Sequence, residues 1–348
     1  MPFVMGRFSD RGDLGKFFII SSFVLLTIVS ISYMLISQPV YLIIARVFEG
    51  VGWAMLWPAM DAEISKNLPA AEAKRVFSLY NITWSGAAAI GPLIGSALIF
   101  LTAIQYAFFA TVIILLLSTA VNLYPMLVSG KAVASRKREA PATVPPHETK
   151  SIEPLVREAK SSTGMLFYMI SCSLAAVTSG VLFTFFAPYA KSIGLSILLV
   201  GAVTFVFGLG RFFTYVLSVN ESVRYLLLRD DRRVRNMIIA LVCTSATSLV
   251  VIFRDPTGLS YMVAYAIAGA GISVVFGIAQ AGMIAEATSG SYGRNSGLFE
   301  SAIGLGACVG PIFAGSISGD SITIPFIVPF AGLVVFLVAV PIITRRRR

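Results

Sequence analysis

Residues 39–100 read PVYLIIARVFEGVGWAMLWPAMDAEISKNLPAAEAKRVFSLYNITWSGAAAIGPLIGSALIF. Two apolar runs, 39–60 and 76–100, flank a charged bridge, and each is long enough to cross a hydrocarbon core about 30 Å thick at about 1.5 Å of helix per residue. Eight further runs of this kind lie at 17–37, 103–128, 163–190, 195–219, 237–253, 258–285, 295–318 and 321–344. They lack the strict alternation of a transmembrane β-strand and are too long for one, so they are helices, which satisfy their own backbone hydrogen bonds in lipid. The fold class is all-α: a polytopic membrane protein with ten spans.

Composition agrees. The chain has 348 residues, 57% hydrophobic and only 13% charged, with a mean hydropathy of +0.84. Too few charged side chains separate the runs to build a water-facing surface, which excludes soluble enzymes, nucleic-acid binders and disordered chains. Cys172, Cys243 and Cys308 all fall within apolar runs and His147 is the single histidine, so no disulfide framework, CxxC pair or histidine metal cluster is expected, and no cofactor.

The net charge of +10 is read by position. With residues 1–16 cytoplasmic, alternate loops inherit their side, and 23 of the 27 lysines and arginines then face the cytoplasm, all except Arg46, Lys191, Arg211 and Arg254. The basic excess is topology rather than a nucleic-acid footprint. It places the C-terminus and the segment 129–162 on the cytoplasmic side of the cell membrane. That segment, rich in proline and mixed charge, reads as a linker, with either a short surface helix or flexible chain at 151–160.

A shift of 219 residues lays the opening quotation on residues 258–319 without a gap. Gly50 and Gly52 fall on Gly269 and Gly271, Arg75 on Arg294, Leu79 on Leu298, Asn81 on Glu300, and Gly91-Pro92 on Gly310-Pro311. One register through two helices and their bridge argues for duplicated halves: residues 1–128 with four spans, and 163–348 with six. The same register puts the counterparts of runs 163–190 and 195–219 ahead of residue 1, so roughly 55 to 60 further residues carrying two helices are expected there.

These halves, the linker, and GRFSDRG at 6–12 together resemble the major facilitator superfamily of secondary transporters. In that family a loop of the form GxxxDRxGRR joins the second and third helices. Gly6, Asp10 and Arg11 match it, whereas the following GDLGK departs from it. The resemblance implies a breakable cytoplasmic latch between Arg11 and an acid at the end of the next helix but one, Asp61 or Glu63, with Arg11 to Asp61 the preferred pair. The stretch ARVFEGVGWA, 45–54, looks like the family's RxxxGxG pattern through Arg46, Gly50 and Gly52. SGAAAIGPLIGSAL, 85–98, is similar to GxxxGPxxGG of exporters through Gly91, Pro92 and Gly95, with Ala87 and Ser96 replacing glycines. Small residues and proline there imply close helix contact and bending, and the Gly-Pro recurs at Gly310-Pro311.

An arginine within a span costs about 2.5–3.5 kcal/mol on insertion scales, so it points to a role. Arg46, Glu49, Trp53 and Trp57 repeat at i, i+3, i+7 and i+11, one helical face. That face either lines a polar pathway or lets Arg46 reach the outer interface with Glu49 as its partner. In the family this arginine is linked to proton coupling. Glu300 is a second candidate proton carrier or latch partner, or else a helix-end residue. Asn81, Arg211 and Gln280 complete the polar positions within the spans. Arg46 with Arg211 would suit an anionic substrate; Trp53, Trp57 and Trp84 would suit a cationic or apolar one.

The expectation is a secondary active transporter working by alternating access: a proton-coupled exporter of drugs or metabolites, an antiporter rather than an enzyme, monomeric, with protons, a small molecule and the lipid bilayer as partners. Uptake of a sugar or organic acid is the alternative, as is a transport-inactive remnant. No GxxxxGK[ST] loop supports nucleotide drive, and HExxH and GxSxG are absent.

Overall fold

The computed structural model describes residues 1–9, 14–67, 70–139, 162–255, 257–285 and 292–345. Among these residues there is no strand, and twelve α-helices follow one another: α1 Pro2–Ser9, α2 Leu14–Leu35, α3 Pro39–Asn67, α4 Ala70–Leu101, α5 Ile104–Glu139, α6 Ser162–Ser192, α7 Ile197–Val219, α8 Glu221–Leu228, α9 Asp230–Thr247, α10 Leu259–Ala285, α11 Tyr292–Ser318 and α12 Val328–Arg345. Short 3₁₀ turns at Ser248–Phe253 and Ile324–Ile327 extend α9 and lead into α12.

Nine helices among the described residues are long and apolar enough to cross a membrane. The tenth expected run, 321–344, yields a shorter apolar stretch, Ile324–Ala339, because Pro325 sits in a 3₁₀ turn and the α-helix proper starts only at Val328. A second boundary also moves. Helix α5 continues through SGKAVASRKRE to Glu139, into the segment expected to open the linker at 129. Alanine, lysine, arginine and glutamate favour helix, and the first proline comes only at Pro141. The helix considered for 151–160 lies outside the described residues.

The 219-residue register fits the element borders beyond the two helices that suggested it. It carries Pro2–Ser9 onto 221–228, the exact span of α8, and Leu14–Leu35 onto 233–254, covered by α9 and its 3₁₀ extension. Helices α3 and α4 land on α10 and α11.

The contiguous buried core lies in the second half, among α6, α7, α9, α10, α11 and α12. Phe186, Tyr189, Tyr261, Tyr265 and Phe207 form its aromatic centre, with Phe186 and Tyr265 centroids 4.8 Å apart. Such pairs each add about 0.5–1.5 kcal/mol to packing. Their polar ends are satisfied: Tyr189 Oη donates to the Val251 carbonyl at 2.5 Å, and Tyr265 Oη to that of Leu182 at 3.2 Å.

Two seams join residues 1–128 to residues 163–348. Along the first, α4 packs on α7. Ser85, Ala89, Pro92 and Ser96, at i, i+4, i+7 and i+11, make a stripe of small side chains: Ser85 and Ala89 are buried, Ala89 lies against Gly208, and Ser96 and the Pro92 carbonyl lie against Gly201. Along the second, α1 and α3 pack on α11. Gly6 meets the Gly293 carbonyl and Gly297, Gly297 meets Pro2 and Phe3, and the Phe3 amide donates to Ser301 Oγ at 3.2 Å. A β-carbon at either glycine would push the two backbones apart.

Candidate functional site

Between the seams lies a cavity of about 160 Å³. Trp57 and Asp61 reach it from α3; Tyr80, Asn81 and Trp84 from α4; Arg211 and Tyr215 from α7; Phe276 and Gln280 from α10; and Phe299, Glu300 and Ile303 from α11. Adding 219 to the first five numbers gives 276, 280, 299, 300 and 303. Every α3 and α4 lining residue is thus matched by its repeat counterpart: Trp57 by Phe276, Asp61 by Gln280, Tyr80 by Phe299, Asn81 by Glu300 and Trp84 by Ile303. The wall is pseudo-symmetric, with acid and amide exchanged between the repeats. Arg211 and Tyr215, one turn apart on α7, stand outside these pairs.

Two hydrogen bonds tie the halves together at this wall. Asn81 Nδ2 donates to Gln280 Oε1 at 3.3 Å. Ser296 Oγ donates to Asp61 Oδ2 at 2.5 Å, with both residues only 3% exposed. Asp61 therefore faces α11 and the cavity. Arg11, its expected latch partner, and Asp10 of the same motif lie outside the described residues. Glu63, the other latch acid, lies on α3 over Gly15 at the start of α2.

Arg211 is 7% exposed and its guanidinium carbon lies 4.0 Å from the Trp84 ring centroid, with Phe276 at 5.7 Å and Phe207 at 6.0 Å. Cation–π contact of this kind contributes about 2 kcal/mol when desolvated. Its Nε–H has no hydrogen-bond acceptor. No acid comes within ion-pair distance of Arg211, whereas Arg46 and Glu49 pair at 2.9 Å.

That pair sits away from the cavity. The Arg46 side chain is 72% exposed, over the Tyr33 ring at 5.4 Å, whereas Glu49 gathers donors from Tyr33 Oη at 2.5 Å, Arg46 and Trp53 Nε1 at 3.4 Å. From Glu49 the face continues inward. Trp53 stacks on Trp57 at 5.3 Å and 6°, and Trp57 meets Trp84 edge-on at 6.1 Å. The expected face at 46, 49, 53 and 57 is thus continuous, but only Trp57 reaches the cavity, about 12 Å along the axis from Glu49.

The structure distributes the glycine and proline candidates unevenly. Gly52 packs on Leu26, Gly310 on Val177, and Pro311 on Gly180. Around Gly50, Gly91 and Gly95 nothing lies within 4 Å of where a β-carbon would sit. The expected close contact at SGAAAIGPLIGSAL is made by the Ser85, Ala89, Pro92 and Ser96 stripe instead, because at about 100° per residue Gly91 and Gly95 point off that face. Tyr80, Tyr215, Phe276, Phe299 and Ser296 were not singled out from the sequence. Carrying the 219-residue shift from Trp57 to Phe276 finds one of them.

A cavity that carries two carboxyls and an arginine, lying among packed membrane-crossing helices from the first and last parts of the chain, fits the architecture of a secondary transporter. The Major Facilitator Superfamily family model matches residues 1–281, and the chain belongs to that superfamily. No curated protein matches it. Among solved structures it is similar to a bacterial homolog of the human lysosomal transporter Spinster, in an inward-facing and unoccupied conformation. The TM-score is 0.60 at 18% identity, covering 92% of this chain and 71% of that one.

Proposed function

We propose that the protein is a proton-coupled transporter that exports a drug-like or metabolic small molecule across the cell membrane by alternating access, with the cavity between α3, α4, α7, α10 and α11 as its transport site. Residues 1–128 and 163–348 act as the two rocking units and 129–162 as their cytoplasmic linker. The observation that carries the reading is the pairing of lining residues across the repeat, which places one carboxyl in each unit: Asp61 on α3 and Glu300 on α11. A carboxyl inside a membrane cavity exchanges a proton when access to water alternates, and its charge then alters the field felt by a bound substrate. Arg46 and Glu49 support the outer end of the aromatic face that leads to Trp57. The export direction rests on the resemblance at Gly91, Pro92 and Gly95.

Uptake of an organic acid is the second reading, favoured by the buried Arg211 that no acid pairs. The test reconstitutes the purified chain in liposomes containing a pH-sensitive dye. Substrate-dependent proton movement lost in both Asp61→Asn and Glu300→Gln supports proton coupling; unchanged proton movement in both variants sinks it. For direction, proton-driven efflux of an aromatic cation such as ethidium from inverted vesicles, lost in Arg46→Ala, supports export. Accumulation of labelled benzoate by whole cells supports uptake instead.

A further inference from the structure

We infer that Arg211 is the docking point for an anionic group on the transported molecule, so that the substrate class is an organic anion with a planar apolar body, such as an aromatic carboxylate. The inference rests on the reading of the cavity as the transport site and holds for either direction of transport.

Four observations carry it. Arg211 is 93% buried yet lines the cavity, and its Nε–H has no acceptor. A buried donor left without a partner is costly, and an incoming carboxylate oxygen would supply one. Second, two of the indole faces best suited to a substrate cation are already engaged: Arg211 covers a face of Trp84, and Trp53 covers a face of Trp57. Third, Asp61 is bound by Ser296, and neither Asp61 nor Glu300 lies within 4 Å of the guanidinium. Fourth, Arg211 is the one cation among the described residues that line the cavity, so α7 supplies its positive charge. The planar guanidinium is matched to a carboxylate. Tyr80, Phe276 and Phe299 leave an apolar surround for a ring.

All three tryptophans of the chain, Trp53, Trp57 and Trp84, belong to one cluster at this cavity, so intrinsic fluorescence reports its occupancy. The purified full chain is titrated with benzoate, with benzamide as its neutral counterpart and benzylammonium as its cationic one. The expected result is saturable quenching by benzoate, with affinity for the other two weaker by roughly tenfold or more, the loss expected for one charge-assisted hydrogen bond. Arg211→Gln should remove that preference, and Arg211→Lys should retain part of it. Equal binding of benzamide or benzylammonium overturns the inference, as does benzoate binding that survives Arg211→Gln, or an absence of saturable benzoate quenching. Because the charge series is read on the unaltered protein, it decides the question even where Arg211→Gln fails to fold. Proton-coupled movement of a cation in the liposome assay, with no benzoate preference here, would sink the anion site and leave the transport reading standing.

Discussion

Gly208→Ala and Gly91→Ala are the same chemical change on two helices packed against each other, α7 and α4, and their effects should differ in a calculable way. Nothing lies within 4 Å of the β-carbon position at Gly91, so alanine there brings only its better helix propensity, a gain of up to about 1 kcal/mol. At Gly208 the same methyl would overlap the backbone of Ala89, whose amide nitrogen would be only 2.6 Å away. A backbone cannot rotate aside like a side chain, so α4 and α7 must separate, at an overpacking cost of about 1–3 kcal/mol. The propensity gain is common to both variants and cancels in their difference. Gly208→Ala should therefore be less stable than Gly91→Ala by about 1–3 kcal/mol, a factor of about 5 to 150 in the unfolding equilibrium. The assay is unfolding of the detergent-solubilised proteins by increasing dodecyl sulfate, followed by loss of helical circular dichroism. Coincident curves, or Gly208→Ala the more stable, would refute the placement of the seam at Ala89 and Gly208.

Three further outcomes are expected. Ser296→Ala leaves the buried Asp61 carboxyl without its donor and should destabilise the protein by about 1–3 kcal/mol in the same assay, with no loss counting against the hydrogen bond. Glu49→Gln should weaken the fold more than Arg46→Gln, because Glu49 accepts from three side chains while Arg46 is mostly exposed and donates to one; the reverse order in the melting midpoints would show Arg46 to be the hub. Asp255, in the turn before α10, accepts from the Thr257 and Ser260 amides at 2.8 and 2.9 Å and from the Thr257 hydroxyl at 2.7 Å. These donors hold its carboxyl well below the usual carboxylate range. Its contribution is present above that range and is lost as pH falls through and below it, so exchange protection of the Thr257 and Ser260 amides should fade on acidification. Protection that is unchanged at low pH, or in Asp255→Ala at neutral pH, would show that the turn stands without it.

The helical class is legible because it is carried along the chain: run length reports a span. The site was legible only where the offset or a charge inside a span drew attention. Asn81, Gln280, Glu300, Arg211 and Trp57 were named from the sequence, and all five line the cavity. What the sequence could not convey was the rotational phase of helices that are apolar on nearly every side. A water-exposed helix shows its buried face by contrast with its polar one, whereas a lipid-facing surface is as apolar as the protein interior. Hence Gly91 and Gly95 were read as the packing face of α4 although Ser85, Ala89 and Ser96 occupy it. The sequence also gives no sign that Asp61 is buried against Ser296, which is 235 positions further along the chain.

The exchange of acid and amide between the repeats has a mechanical consequence. Were both acids at equivalent positions, they would face each other across the pseudo-twofold axis, and neutralising one would relieve the other. With Asp61 opposite Gln280 and Asn81 opposite Glu300, each half instead carries one group that can change charge and one that cannot. The amides meet as Asn81 and Gln280, a bond that protonation does not alter, whereas Asp61 holds α11 through a bond to Ser296 whose strength depends on its charge. Separation of α3 and α4 from α10 and α11 must break both bonds. On the proposed proton-coupled reading, the titratable one is the bond through which proton binding biases that movement, and Asp61 lines the same cavity as Arg211. Asp61→Asn, which keeps a hydrogen-bond acceptor but fixes the charge at zero, should therefore leave the fold intact and remove the pH dependence of the exchange between conformations. A fluorophore on α3 paired with one on α11 would report that exchange by energy transfer, and an unchanged pH response in Asp61→Asn would place the coupling at Glu300 instead.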